Sequence, residues 1–506
     1  MSAAAGSALL NAFRRTQDLA SLRAADVVDV LVVGGGVTGT GVALDAASRG
    51  LSVALVERHD LAAGTSRWSS KLAHGGVRYI TKGQVAVAWE SAVERNRLAT
   101  TIAPHLIRPM PFVMPMFDRL PPGARAGTRA LFAVTDVLAK AARTPSSLPA
   151  THWADRQETA SLIPMLVDVR GSYIHVDGAL EDDARLVVTL ARTAASYGAK
   201  IVTHCAAVDV ARDGASVRDE LTGERFDVRA RSVVVAAGVW SGELVDSVPL
   251  RPSKGAHLVV RAEALGYPRA AVNVVLPGSI NRFVFAVPRP DGTVLVGLTD
   301  DPVEEVVDVP AVSDEDERFL LEMLSSGLSR PLTSDDVLGR FAGLRPLLAG
   351  GDGGSSADLS RRHTLLDRDG VVVIVGGKLT TYRRMAQDAV DRVVSRTGNG
   401  GACRTALLPL VGAGARRPGP VARLDRRFGA EAAAVAAVDG AGALEPVAAG
   451  VPVLRCEVDW AVQAEGAIDV ADILDQRLRL DLVPTWRAAA SAYVEERLEI
   501  SGSASR

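Results

Sequence analysis

The first sixty residues alternate between short apolar runs and a helical segment of small residues. Residues 29–34, DVLVVG, are a β-branched run that ends in glycine, which is typical of a buried parallel strand. The next segment, VTGTGVALDAASRG, spaces small and apolar residues at helical intervals and stops at Gly50, where a helix-ending glycine is common. A second strand-like run, LSVALVE, follows. The pattern therefore predicts a strand–helix–strand unit over residues 26–60.

The first turn of this unit carries Gly34, Gly36 and Gly39 in the spacing GxGxxG. In a dinucleotide-binding unit the first glycine permits the tight turn, the second admits a pyrophosphate, and the third lets helix and strand pack closely. Free N–H groups at the helix start bind the pyrophosphate. Glu57 ends the second strand and is placed to accept hydrogen bonds from an adenosine ribose. The unit predicts dinucleotide binding; the alternative is a glycine-rich turn that binds nothing.

Two later strand ends favour FAD over NAD. Residues 231–242, RSVVVAAGVWSG, and 369–386, DGVVVIVGGKLTTYRRMA, are each a buried strand followed by a glycine turn. A second GxGxxG, which an enzyme binding both a nicotinamide nucleotide and a flavin would usually carry, does not occur. FAD extends across the sheet and needs contacts from distant segments. Taken alone, each run is equally compatible with a core strand and an ordinary turn.

Beyond residue 250 the apolar pattern changes twice. GAHLVV, RFVFAVP and TVLVGLTD are strand-like runs, with one helical stretch near 313–328, and they predict an antiparallel sheet that covers the cofactor. Residues 396–420 are rich in glycine, arginine and proline and predict a linker. Three helical segments follow, and Pro484 stands at the first position of the last one.

Residues 119–143 predict a basic amphipathic helix. Its apolar and basic positions are Leu131, Phe132, Val134, Val137 and Leu138, beside Arg125, Arg129, Lys140 and Arg143. Such a helix can lie in the headgroup region of an anionic membrane. The alternative is a surface helix that packs on its own domain.

Composition limits the remaining possibilities. The 506 residues, with 48% hydrophobic and 23% charged positions, fit a globular enzyme of about three domains. A net charge of −2 gives no general attraction to nucleic acid. Cys205, Cys403 and Cys456 lie far apart and form no CxxC pair, so neither a disulfide framework nor a metal site is expected. The N-terminus lacks the apolar core of a signal peptide, and no run is long enough to cross a bilayer. We expect a cytoplasmic protein, at most bound to a membrane face.

Three segments carry a resemblance to a known family. TSRWSSKLAHGGVRYI (65–80), AGLRPL (342–347) and GGKLTTYR (376–383) resemble segments of FAD-dependent glycerol-3-phosphate dehydrogenases, the respiratory, quinone-reducing enzymes of the D-amino-acid-oxidase-like flavoprotein superfamily. The resemblance extends from about Asp29 to residue 498. Trp68 departs from the family pattern, in which a small residue is more common.

The resemblance implies an α/β fold with a Rossmann-like FAD-binding domain, an antiparallel-sheet substrate domain and a C-terminal helical domain. The FAD-binding domain is assigned to residues 26–80, 181–250 and 356–395. The substrate and membrane-contact domain is assigned to 81–180 and 251–355, the linker to 396–420, and the helical domain to 421–506.

The polar stretch 64–79 would pass beside the flavin ring, where Gly75 and Gly76 let the backbone approach. Beyond the glycine motif and Glu57, the implied cofactor-binding residues are Thr65, Ser66, Ser69, Ser70, Lys71, Leu72, Val208, Gly238, Gly377, Lys378, Leu379 and Thr380. The implied catalytic residues are His74 and Arg78, and the implied substrate-binding residues are Arg78, Tyr79, Arg345, Arg361 and Lys378.

The substrate of this family is a small dianion, so its site should collect cations. Arg345 lies between apolar residues, where an unpaired guanidinium would be costly. Lys378 follows a glycine pair at a strand end, where ligands bind in open α/β sheets. Only the family pattern favours Arg361 over Arg362. His74 can accept the hydroxyl proton, because histidine titrates near neutral pH; its other possible role is to position the flavin.

The implied reaction oxidises sn-glycerol 3-phosphate to dihydroxyacetone phosphate, with hydride transfer to FAD and electrons passed to a membrane quinone. The enzyme would sit peripherally on the inner face of the cell membrane, as a monomer or a homo-oligomer, with no nucleic-acid partner. One alternative is a soluble glycerophosphate oxidase that uses oxygen, a type expected to carry an extra insertion. Two others are an amino-acid-oxidase-like enzyme and a flavoprotein that has lost catalysis and serves as an interaction module on the membrane.

Overall fold

The structure is a computed structural model that describes residues 7–24, 26–76, 80, 84–120, 123–141, 148–246, 248–276, 283–348, 362–414, 421–438 and 442–504. Its strands are β1 Val28–Val33, β2 Val53–Val56, β3 Leu72–Ala73, β4 Ile107–Phe117, β5 His152–Ala154, β6 Val169–Leu180, β7 Lys200–Val202, β8 Cys205–Ala211, β9 Gly214–Asp219, β10 Arg225–Val235, β11 Ser253–Arg261, β12 Ala271–Val275, β13 Phe283–Pro288, β14 Thr293–Gly297, β15 Asp301–Pro302, β16 Val337–Arg345, β17 His363–Arg368 and β18 Val371–Gly376.

The α-helices surround two sheets and form the C-terminal region. They are α1 Ala12–Arg23, α2 Val37–Ser48, α3 Val85–Arg97, α4 Ala124–Ala141, α5 Arg156–Leu162, α6 Asp183–Ser196, α7 Ser241–Leu244, α8 Asp314–Ser325, α9 Tyr382–Thr397, α10 Ala422–Phe428, α11 Ala432–Ala436, α12 Arg455–Ala464 and α13 Pro484–Ala504.

The first sheet has the strand order β17-β18-β10-β1-β2-β7, with β9 on β10 and β8 on β9. The five strands from β18 to β7 run parallel. Strands β1, β2 and β18 are almost entirely buried, as their continuous valine and leucine runs predict. Because the strands are parallel, the carboxyl ends of β1, β10 and β18 meet at one edge, which is where open α/β sheets bind ligands.

Helix α2 packs between this sheet and helices α6 and α9, and almost every residue in it is buried. Small side chains make this possible. A Cβ on Gly41 would lie 2.9 Å from Cδ2 of Tyr382 in α9. The helix runs from Val37 to Ser48, so the predicted strand–helix–strand unit is confirmed.

The second sheet has ten strands in the order β15-β11-β14-β13-β12-β4-β6-β3, with β16 on β11 and β5 on β6. Its strand pairs are antiparallel except β12 with β4. The predicted runs GAHLVV, RFVFAVP and TVLVGLTD lie in β11, β13 and β14. Strand β3 belongs to this sheet although residues 26–80 are assigned to the first domain, so the boundary near residue 80 stays a prediction.

The C-terminal segments are helical, with breaks at glycines. The segment 421–438 is divided into α10 and α11 at Gly429, which has a φ of 56°. Buried ion pairs dock this region on the first domain: Arg477 pairs with Asp60, and Arg185 pairs with Glu465. In the predicted linker, Leu408 and Leu410 are buried in the core around the first sheet, so this part of the connection is packed.

Candidate active site

A cavity of about 550 Å³ lies between the carboxyl edge of the first sheet and the second sheet. It brings together residues that are far apart in the sequence. The predicted site residues that line it are Gly34, Gly36, Glu57, Thr65, Ser66, Ser69, Ser70, Leu72, His74, Val208, Gly238, Arg345, Gly377, Lys378, Leu379 and Thr380.

The glycine turn after β1 forms one end of this cavity. Gly34 has a φ of 113°, which a side chain would strain, and Gly36 begins helix α2. Ser66 accepts a hydrogen bond from the N–H of Val37 at 2.9 Å and so holds the polar stretch against the start of the helix. An N-terminus of this kind, approached closely by glycine backbone, fits a pyrophosphate.

Gly39 has a packing role, as the motif predicts. It does not line the cavity; a Cβ added to it would lie 1.9 Å from the carbonyl oxygen of Gly34. Even alanine would therefore push α2 away from β1 and distort the turn.

The Glu57 side chain reaches the cavity, and two backbone N–H groups bind its carboxylate. Oε2 accepts from the N–H of Gly35 at 2.6 Å, and Oε1 accepts from the N–H of His59 at 2.9 Å. These bonds fix the carboxylate beside the glycine turn, where the dinucleotide motif expects a ribose.

The adenosine end of such a ligand would meet residues that the sequence analysis did not single out. Trp240 lines the cavity and packs against Gly64, with the guanidinium of Arg58 5.8 Å from its ring centroid. Arg58 in turn pairs with Asp308 at 2.9 Å. No sequence motif marks these side chains, because only the tertiary fold brings the loop that carries Asp308 close to Arg58.

Asp183, at the start of α6, binds Ser69 of the polar stretch 64–79. Its carboxylate accepts from the N–H of Ser69 at 2.9 Å and from the hydroxyl of Ser69 at 2.7 Å. Lys71 Nζ donates to the same carboxylate at 2.6 Å, and Arg479 of the C-terminal region donates at 3.2 Å. The Lys71 side chain therefore points into this buried cluster, so a contact between Lys71 and the cofactor would come from its backbone, and its assignment as a cofactor-binding residue stays a prediction.

Gly75 also differs from its expected role. A Cβ on it would lie 2.4 Å from Nη1 of Arg95, and its N–H donates to both oxygens of Asp177 at 3.0 Å. Arg95 pairs with Asp177 at 2.8 Å. Neither Gly75 nor Gly76 is among the residues that line the cavity, so the missing side chain at Gly75 makes room for a guanidinium rather than for a planar ring.

His74 follows directly after β3, whose pairing with β6 anchors it. The side chain is half-buried and lines the cavity. Four residues earlier, Ser70 also lines the cavity. Its hydroxyl hydrogen-bonds to His257 Nε2 at 2.9 Å.

His257, on β11, is a site residue that the sequence analysis missed. It is 2% exposed, lines the cavity and stacks on Phe341 with a centroid distance of 4.7 Å. Burial, reinforced by the positive charges of Arg345 and Lys71, lowers the pKa of His257 to about 3. The imidazole is therefore neutral at physiological pH. Its position in GAHLVV, an ordinary strand run, gave no signal.

Arg345 ends β16 at the cavity. Its Nη1 donates to Asp300 Oδ1 at 3.0 Å, and Nη2 donates to the carbonyl oxygen of Thr299 at 3.3 Å. Gly255 permits this close approach, since a Cβ there would lie 2.1 Å from Nη2. The guanidinium is thus fixed in place by partners while its side chain keeps 21% exposure.

Lys378 follows Gly376 and Gly377, which have φ values of 77° and 80°. Its Nζ donates to the hydroxyl of Ser91 at 2.8 Å. The side chain lies between the cofactor cavity and a smaller neighbouring cavity that Arg362 lines. Three predicted substrate residues, Arg78, Tyr79 and Arg361, lie outside the described residues, so the choice between Arg361 and Arg362 stays open.

Trp68 packs mainly away from the cavity, although part of its side chain contributes to the wall. It is 8% exposed and stacks on Phe341 at 5.7 Å, in a cluster with Leu482 and Val483 of the C-terminal region. A large residue here therefore joins the C-terminal region to the second sheet.

The predicted amphipathic helix is α4, and its apolar residues divide into two sets. Phe132 is buried with Met116 and Tyr173, whereas Val134 and Val137 are 45% and 64% exposed. The side chains of Leu138 and Lys140, and the whole of Arg143, lie outside the described residues. Within the described part of the chain, no helix combines the length and apolarity that a membrane crossing requires.

Comparison with known proteins agrees with this geometry. Residues 29–384 match the family model of FAD dependent oxidoreductases. Glycerol-3-phosphate dehydrogenase 1 of Mycobacterium tuberculosis is 46% identical, over 97% of this chain and 99% of its own length. A mitochondrial glycerol-3-phosphate dehydrogenase of Arabidopsis thaliana is 32% identical, over 93% of this chain and 82% of its own.

Among solved structures, the glycerol-3-phosphate dehydrogenase of Bacillus halodurans complexed with FAD aligns with a TM-score of 0.74 and 26% identity, over 97% of this chain and 94% of that one. The L-alpha-glycerophosphate oxidase of Mycoplasma pneumoniae with FAD bound shares the fold at a TM-score of 0.58 and 19% identity, over 76% of this chain and 99% of that one. The chain therefore belongs to the family of FAD-dependent oxidoreductases and, within it, to the glycerol-3-phosphate dehydrogenases.

Proposed function

We propose that this protein oxidises sn-glycerol 3-phosphate to dihydroxyacetone phosphate and passes the electrons to a membrane quinone. The observation that carries the proposal is the composition of one cavity. Glycine-lined strand ends form one wall, while Arg345, Lys378, His74 and His257 contribute to the rest. Cations beside histidines suit a phosphorylated alcohol, whose phosphate needs charge and whose hydroxyl needs a proton acceptor.

The phosphate would be held by Arg345 and Lys378, with Arg78, Tyr79 and Arg361 as the further members implied by the family. The bonds from Arg345 to Asp300 and Thr299 orient the guanidinium in advance, so little side-chain entropy is lost on binding. When bound, FAD supplies the acceptor for the hydride that leaves C2 of the substrate.

His74 is the proposed proton acceptor. A base works best when its pKa lies near the operating pH, and the low pKa of His257 makes that imidazole a weak base. His257 would instead hold the Ser70 hydroxyl, which lies in the same stretch as His74. The two histidines therefore have different proposed roles: His74 moves the proton and His257 orients its surroundings.

The decisive experiment is anaerobic mixing of the purified, FAD-loaded protein with candidate substrates. Glycerol 3-phosphate should bleach the flavin absorbance within the turnover time. Glycerol, which lacks the phosphate, and alanine, which would serve an amino-acid-oxidase-like enzyme, should bleach it at least 100-fold more slowly. Equal bleaching by glycerol, or faster bleaching by the amino acid, would contradict the proposed substrate. Bleaching by none of them would favour a protein that has lost catalysis.

Membrane contact through α4 is the second part of the proposal, because a quinone acceptor is lipid-soluble. It is supported by the exposed Val134 and Val137 and by exposed Arg125 and Arg129. Arg125 stacks on Trp153, with 3.9 Å from its guanidinium carbon to the ring centroid, so one of the basic groups is partly engaged at the protein surface. Basic residues near an anionic bilayer contribute about 1 kcal/mol each.

Charge reversal at Arg125, Arg129, Lys140 and Arg143 tests this contact. The variant should no longer sediment with anionic vesicles. It should reduce a long-chain quinone more slowly than the wild type and a soluble dye at the wild-type rate. A matched control reverses Arg225, Arg229 and Arg231 on β10, which also has exposed basic positions. Unchanged sedimentation and equal use of both acceptors would make α4 an ordinary surface helix.

Oxygen is the alternative acceptor. The oxidase of Mycoplasma pneumoniae shares the fold, but nearly all of it aligns with only 76% of this chain, so the expectation of an extra insertion in the oxidase does not hold for that enzyme. Stopped-flow reoxidation of the reduced protein by air or by a soluble quinone analogue distinguishes the two. If air reoxidises the reduced protein faster than the quinone analogue does, oxygen replaces the quinone as the proposed electron acceptor.

A further inference from the structure

A second cavity, of about 280 Å³, lies where the C-terminal region meets the second sheet. Its walls come from the β13–β14 turn, from α10, and from the segments 446–454 and 478–486. Among the described residues it shares no lining residue with the cofactor cavity. The proposed reaction therefore makes no use of it.

Five arginines line this cavity: Arg289, Arg423, Arg426, Arg427 and Arg479. Arg479 is committed to Asp183 and Asp481. Within the described part of the chain, ion pairs join the other four guanidinium groups to only three carboxylates, those of Asp291, Glu457 and Glu181. Of the nearby carboxylates, Glu181 and Asp291 line the cavity, whereas Glu457 and Asp182 act on the guanidinium groups without lining it. Among the described residues, the lining itself therefore presents more guanidinium groups than carboxylates.

Two of these ion pairs are also poorly formed. Arg426 Nε lies 3.4 Å from Glu181, and Arg427 Nε lies 3.0 Å from Glu457, yet neither of these buried N–H groups has a hydrogen-bond partner. Burial and the charges of Arg423 and Arg185 outweigh the attraction of Glu457 and lower the pKa of Arg427 to about 10. The facing oxygens, Glu181 Oε2 and Glu457 Oε2, also lack a hydrogen-bond partner, so both ion pairs are misaligned.

The rest of the wall is apolar. It is formed by Val259, Leu295, Pro446, Val451, Pro452, Val453, Leu454, Leu478, Leu480, Leu482, Val483 and Trp486. An inorganic ion would leave this surface without a partner. The combination suits a molecule with a charged head and a short apolar body, as small-molecule sites combine mostly apolar walls with a few polar groups.

We propose that this cavity is a second ligand site, which binds a small organic anion with its phosphate or carboxylate at Arg423, Arg426 and Arg427 and its apolar body against the leucine, valine and proline wall. The charged head would bridge guanidinium groups that outnumber the carboxylates lining the cavity. Because α10 and the β13–β14 turn both contribute, the occupant would also join the C-terminal region to the second sheet.

Calorimetric titration of the FAD-loaded protein tests the site, with n-butyl phosphate as probe and saturating dihydroxyacetone phosphate present to occupy the substrate site. Wild-type protein should bind one further n-butyl phosphate per chain. Hexanoate distinguishes a carboxylate head from a phosphate head, and n-butanol, which has no charge, should not bind. If dihydroxyacetone phosphate itself does not bind, the proposed function fails, while the comparison of variants described next still tests the second cavity.

Arg426→Gln should weaken n-butyl phosphate binding at least tenfold, and Arg426→Lys should retain most of it. The matched control is Arg455→Gln, since Arg455 is an exposed arginine on α12 that pairs with Glu445 at 2.8 Å outside the cavity. Pro452→Asp places a carboxylate on the half-buried rim and should abolish binding without removing any ion pair. The proposal is overturned if wild-type protein shows no further binding event, or if neither Arg426→Gln nor Pro452→Asp changes it.

Discussion

The two walls of the cofactor cavity are built in different ways. The wall at the first sheet is mostly backbone: Gly34, Gly36 and Gly377 bring strand and helix ends to the surface, and the N–H groups of Gly35 and His59 fix Glu57. The wall at the second sheet is made of side chains. Arg345 and His257, from different strands, are each oriented by a partner remote in sequence.

The difference shows which part of the site can be predicted from a short stretch of sequence. A backbone wall depends on glycine spacing, which a short stretch of sequence carries. A side-chain wall depends on pairs such as Arg345 with Asp300 and His257 with Ser70, which only the packing of distant segments brings together. Substitutions in the first wall should therefore affect cofactor retention, and those in the second should affect turnover with the cofactor still bound.

The largest effect is expected for Gly39→Ala. Its Cβ would meet the Gly34 carbonyl at 1.9 Å, so the glycine turn must shift and FAD should be lost on purification. The measurement is the ratio of flavin to protein absorbance after gel filtration. Gly127→Ala, on α4 where a Cβ meets nothing within 4 Å, is the matched control and should retain a full complement. Full retention by both variants would remove the packing argument.

The next largest effect separates the two histidines. His74→Ala should slow flavin reduction by glycerol 3-phosphate by about 10²–10⁴-fold, as expected for loss of a general base. His257→Asn, which can still bond to Ser70, should slow it less. Single-turnover reduction is followed at several pH values, because loss of the base should also remove the acid limb of the profile. If His257→Asn has the larger effect and removes that limb, the two roles must be exchanged.

A smaller loss is expected for Arg345→Ala, which should cost about 2–5 kcal/mol in kcat/KM for glycerol 3-phosphate. The reason is removal of a preoriented guanidinium from the substrate wall. Arg340→Ala is the control on the same strand, since Arg340 pairs with Glu317 and lies 47% exposed, outside the cavity. Steady-state kinetics with equal flavin content decide the outcome; equal losses in the two variants would indicate a general effect on β16.

The smallest effect concerns stability and pH. Burial lowers the pKa of His175 to about 4, while an unfolded histidine titrates near 6.5. Between these values the unfolded chain binds more protons than the native protein, so stability rises with pH and is lost as pH falls from 6.5 towards 4. His175→Phe removes this group. The free energy of unfolding should then fall by about 1–3 kcal/mol less between pH 6.5 and pH 4, and Tm should fall less as well.

Val137→Ala serves as the control for that measurement, because Val137 is 64% exposed and carries no titratable group. It should leave the pH dependence of Tm unchanged. A profile for His175→Phe that matches the wild type would mean that other groups dominate acid unfolding. His257, whose pKa is lowered to about 3, would contribute in the same direction and is the first group to test next.

The sequence by itself determined the dinucleotide unit, from the strand at Val28 to the acid at Glu57, because glycine spacing and apolar periodicity act within a few turns of chain. It also carried the family resemblance, and sixteen of the residues predicted for the site line the cavity. It did not determine where Lys71 points, since Asp183, whose carboxylate accepts from the Lys71 ammonium group, lies more than a hundred residues away.

Only the tertiary structure decided that His257 contacts Ser70 and that Arg95 fills the space where a side chain at Gly75 would lie. A strand run such as GAHLVV predicts which positions alternate, but only the packing of the polar stretch 64–79 against β11 brings Ser70 to His257. In the same way, Gly75 is a glycine because Arg95 passes beside it, a contact made by helix packing. The physical reason is common to both cases: a local pattern selects backbone conformation and burial, whereas charge pairing and close approach depend on which distant segments the fold brings together.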